Sequence, residues 1–297
     1  MKKYIVITGG AGFIGTNLIK ILLNKTKLNI ISLDNYSTGS KKNHIRDRRV
    51  KYIKGENYKI FNILKNYAKE IKVIFHFGEF SRIYQSFKNI NKCFNYNLLG
   101  TYKVAQFCMV NKIKILYSAS SSKFGNDGRD EHLSPYSWSK SKNIELIKNL
   151  NRWYGLKYEI LYFYNVYGPG QIKNHPMSAV IGIFETQAKK GKALTVVKPG
   201  NQKRDFTHVS DIVNGCYLAY KKGKNSEYML GTSRQFTILQ VAKMFSKKIK
   251  FIPYRQGERF GSFTFSHKTY KDLGYRAKKK LEDYINEFKI KNEIRDN

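Results

Sequence analysis

The sequence feature that most constrains the fold is a glycine triplet between an apolar run and a helical pattern. Gly9, Gly12 and Gly15 follow the apolar residues 4–8 and open the apolar periodicity of residues 14–23. Glycine permits a tight turn there and lets the backbone approach a diphosphate, to which the helix N-terminus presents free N–H groups and a positive dipole. The triplet therefore predicts a strand–loop–helix unit that binds a dinucleotide.

The rest of the chain continues this alternation of short β-branched runs and helical patterns, which is typical of βαβ units and a parallel sheet. Further strands are predicted at residues 29–33, 50–54, 73–77, 113–118 and 158–164. Helices are predicted at residues 94–110, 137–153, 177–189, 212–221, 238–245 and 281–290. Glycine and proline at residues 168–170 mark a change of organisation. We expect an α/β fold: a Rossmann-type doubly wound parallel sheet in residues 1–165, joined again by residues 204–228, and a smaller, mixed α/β C-terminal substrate domain in residues 166–297.

The net charge of +34 arises from 55 lysine and arginine residues against 21 aspartate and glutamate residues. Taken alone, such a charge suggests a polyanionic partner such as nucleic acid. The basic residues are spread along the whole chain, however, and the densest block is only Lys278-Lys279-Lys280. We therefore interpret the charge as compositional bias and expect no nucleic-acid partner, although a positive field would still attract a doubly charged nucleotide ligand.

The apolar segments and the cysteines limit the class of protein further. No run of about 18 apolar residues occurs, so we expect no membrane span. The first predicted strand begins almost at the N-terminus, which leaves no room for a signal peptide and predicts a cytoplasmic protein. Cys93, Cys108 and Cys216 lack the spacing of a metal site, so we interpret them as reduced core thiols and predict no metal.

An aspartate at the end of the second predicted strand refines the choice of dinucleotide. Asp34 follows the glycine loop by close to the roughly 20 residues that usually separate such a loop from a ribose-binding carboxylate. A carboxylate at this place accepts hydrogen bonds from the adenosine ribose hydroxyls and repels a 2′-phosphate. The sequence therefore predicts NAD, rather than NADP, as the cofactor.

Candidate catalytic residues lie further along the chain, in a tyrosine–lysine pair and a serine run. Tyr136 and Lys140 are four residues apart, which places both side chains on one face of a helix. An ammonium group beside a phenol favours the phenolate, so Tyr136 could exchange a proton with a substrate hydroxyl near neutral pH. Ser120 lies in a serine run that ends a predicted strand, at the sheet edge where α/β proteins place their ligands. Taken singly, the pair also fits a solvated helix face, and the serines also fit a polar loop.

A set of motifs in a fixed order resembles the UDP-glucose 4-epimerase group of the extended short-chain dehydrogenase/reductase family. The motifs are TGGAGFIG at residues 8–15, DNYSTG at 34–39, HFG at 76–78, NLLGT at 97–101, SASSSKFG at 118–125, YSWSK at 136–140, YNVYGP at 164–169 and RDFTHVSD at 204–211. The resemblance extends from residue 3 to about residue 285. It implies an NAD-dependent enzyme that acts on a nucleotide sugar, in the first place a UDP-sugar.

The resemblance also implies a role for each matching residue. The implied catalytic residues are Ser120, Tyr136 and Lys140. The implied cofactor-binding residues are Gly9, Gly12, Phe13, Ile14, Gly15, Asp34, Asn35, Glu56, Asn57, Phe77, Gly78, Asn97, Tyr136, Lys140 and Tyr164. The implied substrate-binding residues are Ser120, Asn165, Arg204, Arg255 and Glu258. Members of the family commonly pair through a four-helix bundle, so we expect a homodimer built from the helices at residues 94–110 and 137–153.

The implied reaction is hydride chemistry at C4 of the sugar. Tyr136 would remove the proton of the O4 hydroxyl while NAD takes the C4 hydride, and the 4-keto sugar would turn over before the hydride returns. The related 4,6-dehydratases need an acidic pair directly after the catalytic hydroxyl residue, and Ser121 and Ser122 stand at those positions. The related decarboxylases use a glutamate in the same turn, and that glutamate is absent. A C4 epimerase is therefore favoured, with a 4-keto reductase or a dehydratase of the same family as the alternative and a non-catalytic RNA-binding module as a remote one.

Two positions depart from the family pattern in ways that bear on the ligands. Glu79 falls in a segment where the family usually has small, uncharged residues, so it could pair with Arg82 or disturb the cofactor pocket. Ser262 aligns with a position where a bulky side chain can exclude N-acetylated sugars. A serine there predicts room for an N-acetyl group.

Overall fold

A computed structural model describes residues 2–261 and 266–294, and of residues 125–129 it gives the backbone alone. Ser262, whose small side chain predicts room for an N-acetyl group, lies outside the described residues.

The strands follow the β-branched runs of the sequence. Their bounds are β1 Tyr4–Thr8, β2 Asn29–Asp34, β3 Val50–Lys54, β4 Ile71–His76, β5 Lys114–Ser120, β6 Tyr158–Phe163, β7 Val166–Tyr167, β8 Leu194–Val197, β9 Lys203–Asp205, β10 Thr207–His208, β11 Glu227–Leu230, β12 Gln235–Thr237 and β13 Ile249–Ile252. Seven of them form one parallel sheet in the order β3-β2-β1-β4-β5-β6-β11. The strand order runs outwards in both directions from β1 and β4, and this doubly wound arrangement confirms the predicted Rossmann-type α/β fold.

The helices lie between these strands and after them. Their bounds are α1 Phe13–Lys25, α2 Ile60–Leu64, α3 Ile83–Lys88, α4 Ile90–Phe94, α5 Gly100–Val110, α6 Pro135–Tyr154, α7 Val180–Lys189, α8 Val209–Lys222, α9 Ile238–Phe245, α10 His267–Leu273 and α11 Leu281–Lys291. A 3-10 helix, Ser121–His132, joins β5 to α6. Across residues 2–261 and 266–294, no helix has the length and the apolar character needed to cross a membrane.

The main sheet buries both of its faces, which explains why its strands are nearly all apolar. Along β1, Ile5 and Ile7 pack on one side and Val6 packs on the other, because successive side chains of a strand alternate. Helices α5 and α6 cover the face of Val6, and helices α1 and α8 cover the face of Ile5 and Ile7. All three side chains are fully buried, so this central strand is fixed from both sides.

The helix predicted at residues 94–110 is interrupted by one π-helical turn, Asn95–Leu99, between α4 and α5. This turn carries the fully buried Asn97, whose Oδ1 accepts from the N–H of Phe80, at 2.7 Å, and whose Nδ2 donates to the carbonyl of Phe80, at 3.2 Å. Wide turns of this kind are frequent at functional sites. Apolar periodicity could not predict this one, because it carries no signal for a polar contact between segments that are not neighbours in sequence.

The residues that follow β6 build a second, smaller core. Strand β8 pairs with β13 in parallel and β9 pairs with β12 in antiparallel orientation. Side chains of α7, α9 and α11 pack together with these strands, among them Phe184, Phe245 and Ile285. Strand β11 instead lies at the edge of the main sheet, beside β6. The predicted domain boundary after residue 165 stays a prediction.

Candidate active site

A cavity of about 480 Å³ lies at the carboxyl edge of the main sheet. Its lining includes Gly9, Asp34, Phe77 and Ser120, which end or directly follow β1, β2, β4 and β5. The strand order reverses between β1 and β4, and a crevice at such a point is where open α/β sheets bind their ligands. Residues of β8 and β9 also line the cavity, so the second core contributes part of the wall.

This cavity brings together most of the residues that the sequence predicts as site residues. Its lining includes Gly9, Gly12, Phe13, Ile14, Gly15, Asp34, Asn35, Glu56, Asn57, Phe77, Gly78, Ser120, Tyr136, Lys140, Asn165, Arg204, Arg255 and Glu258. Asn97 and Tyr164 are fully buried and do not belong to the lining: Asn97 holds the backbone of Phe80, and Tyr164 packs in the core beneath the sheet. Their predicted contact with the cofactor stays a prediction.

The glycine loop leaves no room for side chains at its turn. Gly9 has a positive φ of 71°, and a Cβ atom on it would lie 2.9 Å from the backbone nitrogen of Gly78. A Cβ atom on Gly15 would lie 2.3 Å from the carbonyl oxygen of Gly9. Gly12 is the N-cap of α1, and a Cβ atom on it would make a single contact within 4 Å among the described residues, at 3.2 Å to the same carbonyl. The space in front of the helix N-terminus therefore fits the diphosphate of the predicted NAD.

Asp34 ends β2 and connects this strand to the glycine loop. Its carboxylate accepts hydrogen bonds from the N–H groups of Ala11, at 2.9 Å, and of Tyr36, at 2.8 Å. Burial raises the pKa of the Asp34 carboxyl, and the two backbone N–H donors offset part of this rise. Asp34 lines the cavity beside Asn35, whose amide donates to Glu56 at 3.0 Å. Its position fits the predicted contact with the adenosine ribose.

The first two turns of α6 carry the tyrosine–lysine pair. The Ser134 side chain caps this helix, so that Tyr136 and Lys140 fall at its N-terminal end and line the cavity. Ser120, the last residue of β5, lines the same cavity, and its hydroxyl accepts a hydrogen bond from the N–H of Ser122 at 3.2 Å. The fold therefore brings the three predicted catalytic residues to one site.

A buried carboxylate holds the lysine of this pair. The Lys140 ammonium donates to the carbonyl of Ser118, at 2.5 Å, and to Oε2 of Glu79. The side chains of Lys140 and Glu79 are 7% and 2% exposed, so this ion pair is buried. The sequence left two possibilities for Glu79, and of these the pairing with Arg82 is wrong. The Arg82 guanidinium donates instead to the carbonyls of Met177, at 2.6 Å, and of Ser81, at 2.8 Å.

Charged side chains from the second core and the segment after it line another part of the cavity. Nη2 of Arg204 lies 3.7 Å from Oε2 of Glu258. Burial, together with the neighbouring Arg259 guanidinium, lowers the pKa of Arg204 to about 9, and burial raises the pKa of Glu258. The guanidinium of Arg255 lies 5.5 Å from the ring centroid of Tyr84. Buried guanidinium groups that crowd one another suit a dianionic ligand such as a nucleotide diphosphate.

Arg259 is a cavity residue that sequence reasoning missed. It is 5% exposed, and its Nε lies 4.0 Å from Oδ2 of Asp130. In the described part of the chain, neither Nε nor Nη1 of Arg259 has a hydrogen-bond partner. Its place directly after Glu258 was the available signal, but a single arginine in a sequence gives no indication that it is buried.

The fold and the site define a class of protein: an α/β enzyme that holds a dinucleotide on a glycine loop beside a tyrosine–lysine pair. The chain belongs to the NAD dependent epimerase/dehydratase family, which it matches over residues 5–231. This match confirms the predicted family, and it confirms NAD as the cofactor of that family.

The proteins to which this chain is similar include enzymes that are named for different reactions. An uncharacterised protein of Methanocaldococcus jannaschii is 30% identical, over 96% of this chain and 95% of that protein. UDP-glucuronic acid decarboxylase 6 of Arabidopsis thaliana is 28% identical, over 83% of this chain and 74% of that enzyme. The solved structure of UDP-glucose 4-epimerase from Thermotoga maritima, with UDP-glucose, has a TM-score of 0.89 at 25% identity, over 97% of this chain and 99% of that one.

Proposed function

We propose that the protein is a nucleotide-sugar 4-epimerase whose substrate is a UDP-hexose or a UDP-N-acetylhexosamine. The observation that carries this proposal is that Ser120, Tyr136 and Lys140 line the same cavity as the glycine loop and Asp34. The buried guanidinium of Arg204 lines that cavity too and suits the diphosphate of a nucleotide sugar. The similarity to the UDP-glucose 4-epimerase of Thermotoga maritima, over nearly the whole of both chains, supports the same substrate class.

Each residue of the group has a defined part in this reaction. NAD, when bound, supplies a hydride acceptor that returns the same hydride to the sugar. Tyr136, as the phenolate, takes the proton of the O4 hydroxyl when the sugar is oxidised and gives it back when the sugar is reduced. Ser120 donates a hydrogen bond to the same oxygen. Lys140 lies one helical turn after Tyr136 on α6 and lines the same cavity.

The nucleotide part of the substrate is held by residues that do not take part in the chemistry. Arg204 and Arg255 bind the diphosphate, and Glu258 accepts hydrogen bonds from the ribose of the nucleotide. Asn165 is assigned to the sugar instead. Its amide nitrogen donates to the backbone carbonyl of Asp205 at 2.9 Å, and this leaves the side-chain carbonyl oxygen of Asn165 for the sugar. Because the nucleotide is anchored and the sugar is not, the 4-keto sugar can turn over within the site.

The turn after Ser120 disfavours the other reactions of the family. Dehydration requires an acidic pair directly after the catalytic hydroxyl residue, and Ser121 and Ser122 occupy those two positions. Both serines are buried, at 4% and 1% exposure, and neither can act as a carboxylic acid. A 4-keto reductase with the same three catalytic residues is the alternative, and it would consume one reduced cofactor in every turnover.

We also propose that the protein forms a homodimer through the helices from α4 to α6. Large apolar side chains are exposed on these helices: Leu99 at 42%, Tyr102 at 40%, Val110 at 61% and Trp153 at 61%. Exposed apolar side chains on neighbouring helices are a common part of protein–protein contacts. This surface falls on the helices that the sequence predicts for a four-helix bundle.

The epimerase proposal is tested by incubating the purified protein with a panel of nucleotide sugars and no added cofactor. We expect UDP-glucose and UDP-galactose, or their N-acetyl forms, to interconvert, because NAD stays bound and is regenerated in each cycle. Turnover that requires a continuous supply of NADH or NADPH would instead identify a reductase and contradict the proposal.

Two tyrosine variants test the role of the phenol in the same assay. Tyr136→Phe should lose turnover and keep its bound NAD. Tyr270→Phe, which removes the hydroxyl of an exposed tyrosine on α10, should keep both turnover and NAD. Full activity of Tyr136→Phe would refute the tyrosine mechanism.

A further inference from the structure

The second core gives the cavity a wall that the residues of the proposed chemistry do not use. On β8, Thr195 and Val197 line the cavity, whereas Leu194 and Val196 are fully buried in the second core. This division follows from the alternation of side chains along a strand. Ile238, the first residue of α9, lines the cavity as well. A largely apolar wall suits the face of a flat ring, whose orientation is then fixed by a small number of polar groups.

Gln202 lies in this wall, between β8 and β9, and its side-chain amide is held in one orientation. Its Nε2 donates to the backbone carbonyls of Val197, at 3.2 Å, and of Lys198, at 3.3 Å. Its own backbone carbonyl accepts from the N–H of Ile238, at 3.0 Å. The opposite orientation of the amide would set its oxygen against two carbonyl oxygens. The side-chain nitrogen of Gln202 is therefore committed to the backbone, and the side-chain oxygen is not.

This oxygen is a buried acceptor that lacks a donor. Gln202 is 1% exposed and lines the cavity, and in residues 2–261 and 266–294 its Oε1 has no hydrogen-bond partner. Buried polar atoms are nearly always hydrogen-bonded, and one that is left unpaired destabilises the fold. Because Nε2 already donates to two carbonyls, Gln202 can offer a ligand only an acceptor. A ligand group that binds here must therefore be a hydrogen-bond donor.

The neighbours of Gln202 indicate which part of a nucleotide would lie against it. Arg204, which we assign to the diphosphate, follows two residues later on β9, so the two Cα atoms are at most about 7 Å apart. Glu258, which we assign to the ribose, lies 3.7 Å from the Arg204 guanidinium. In a nucleoside diphosphate the ribose joins the diphosphate to the base. Diphosphate, ribose and base therefore fit Arg204, Glu258 and Gln202 in the order of their covalent bonds.

The need for a donor distinguishes among the bases. Uracil carries an N–H group at ring position 3, between its two carbonyls. Cytosine and adenine instead carry a lone pair on the ring nitrogen of the corresponding edge, and this lone pair would face the Gln202 oxygen. Guanine has a ring N–H, but on a double ring, whereas the proposed substrate supplies a single one. A site that hydrogen-bonds one group rejects an analogue without it, because its own buried polar atom then stays unpaired.

We propose that Gln202 recognises the base of the nucleotide sugar: its Oε1 accepts a hydrogen bond from the ring N3–H of uracil, and this contact selects uridine nucleotides over cytidine nucleotides. The inference rests on the proposed function for the presence of a nucleotide sugar in the cavity. Binding of the nucleotide alone can be measured without any turnover.

The test is a calorimetric titration of the NAD-loaded protein with UDP, with CDP and with UDP that is methylated at N3 of the base. CDP has nearly the size of UDP and lacks the ring N–H, and 3-methyl-UDP keeps both carbonyls and lacks the same N–H. We expect each of them to bind about tenfold more weakly than UDP, or worse, because the buried acceptor stays unpaired. CDP or 3-methyl-UDP that binds as tightly as UDP overturns the proposal without any variant.

A pair of glutamine variants assigns the preference to one residue. Gln202→Met removes the amide at a similar length and should lose most of the preference for UDP over CDP. The ratio of the two affinities is the readout, since a general displacement of Arg204 would weaken both nucleotides alike. Gln171→Met is the matched control and should keep the full ratio.

Gln171 resembles Gln202 in chemistry and differs in place. It lines the cavity, is 7% exposed, and within the described residues its Oε1 also has no hydrogen-bond partner. Its Nε2 donates to Glu185 at 3.0 Å. It lies on the side of the glycine loop, because a Cβ atom on the preceding Gly170 would be 3.8 Å from the ring of Phe13 on α1.

The outcomes are decisive in both directions. A loss of the UDP preference that is confined to Gln202→Met supports the proposal. An unchanged ratio in Gln202→Met, an equal loss in Gln171→Met or a failure of UDP to bind overturns it. If Gln202→Met does not fold, the comparison of UDP with 3-methyl-UDP in the unmodified protein still decides. Selective binding of UDP by a protein that epimerises no nucleotide sugar would sink the proposed function and leave the role of Gln202 standing.

Discussion

Two glycines of the nucleotide loop are required for different reasons, and two substitutions distinguish them. In Gly15→Ala the new Cβ atom would lie 2.3 Å from the carbonyl oxygen of Gly9 and 2.7 Å from Cα of Gly10, whereas ordinary van der Waals contact begins at 3.4 Å. Both neighbours are backbone atoms, so a side-chain rotation cannot relieve the overlap. The loop itself must move, by about 1 Å on these distances.

The size of the effect follows from this overlap. Overpacking that displaces backbone costs about 1–3 kcal/mol. In a chain of 297 residues that cost lowers Tm by roughly 2 °C per kcal/mol, or roughly 2–6 °C in all. The displaced loop also loses its fit to the diphosphate, so Gly15→Ala should weaken NAD binding by about tenfold or more, which is 1.4 kcal/mol or more.

Gly12→Ala is the matched comparison within the same loop. Gly12 has φ −83° and ψ 180°, a conformation that alanine adopts freely, and its Cβ atom would lie 3.2 Å from the Gly9 carbonyl. This variant should keep its Tm within about 1 °C. It should still weaken NAD binding, because the methyl group projects into the space for the diphosphate.

Thermal unfolding without cofactor and calorimetric titration with NAD measure the two effects separately. Gly15→Ala is expected to change both quantities, and Gly12→Ala only the affinity for NAD. Wild-type affinity for NAD in either variant would refute the reasoning that this loop holds the diphosphate.

Three further predictions follow from other parts of the structure. Burial lowers the pKa of His76 to about 3 in the folded protein, from 6.5, so the unfolded state takes up its proton first and the free energy of unfolding falls as the pH drops from about 6.5 towards 3. Denaturation of His76→Gln should show a shallower slope, by at most about 1.4 kcal/mol per pH unit, and an identical slope would contradict the burial of a neutral ring. Leu99→Lys with Tyr102→Lys should convert dimers to monomers in sedimentation equilibrium, and a monomeric parent protein would contradict the proposed interface. Binding to single-stranded RNA should be weak and fall steeply with salt, whereas specific binding that survives physiological salt would favour the RNA-binding alternative.

The fold could be predicted because its signals are local. Strands β1 and β3 begin and end at the predicted residues, since β-branched runs bounded by polar or glycine residues need no distant partner to be recognised. The glycine loop and Asp34 were predictable for a related reason. Each lies at the end of a parallel strand, and the carboxyl ends of such strands share one edge of the sheet.

Contacts in the site between residues that are distant in sequence could not be predicted from local signals. Glu79 and Lys140 are 61 residues apart, whereas the one partner that the sequence suggested for Glu79 was Arg82, three residues away. The partner is Lys140 because β4 and α6 meet at the same sheet edge, which only the folded chain shows. Arg259 was missed for the same reason, since its burial depends on packing between distant segments.

Transient oxidation at C4 of the sugar is tested most directly by the fate of a label at that carbon. A UDP-hexose that carries deuterium at C4 is incubated in ordinary water with the purified protein and no added cofactor, and the product is analysed by mass spectrometry and NMR. Because the proposed reaction moves the hydride away from C4 and back to it within one site, the epimerised product should retain its deuterium at C4. Loss of the deuterium to water, or epimerisation at another carbon, would contradict a hydride transfer at C4 assisted by Tyr136.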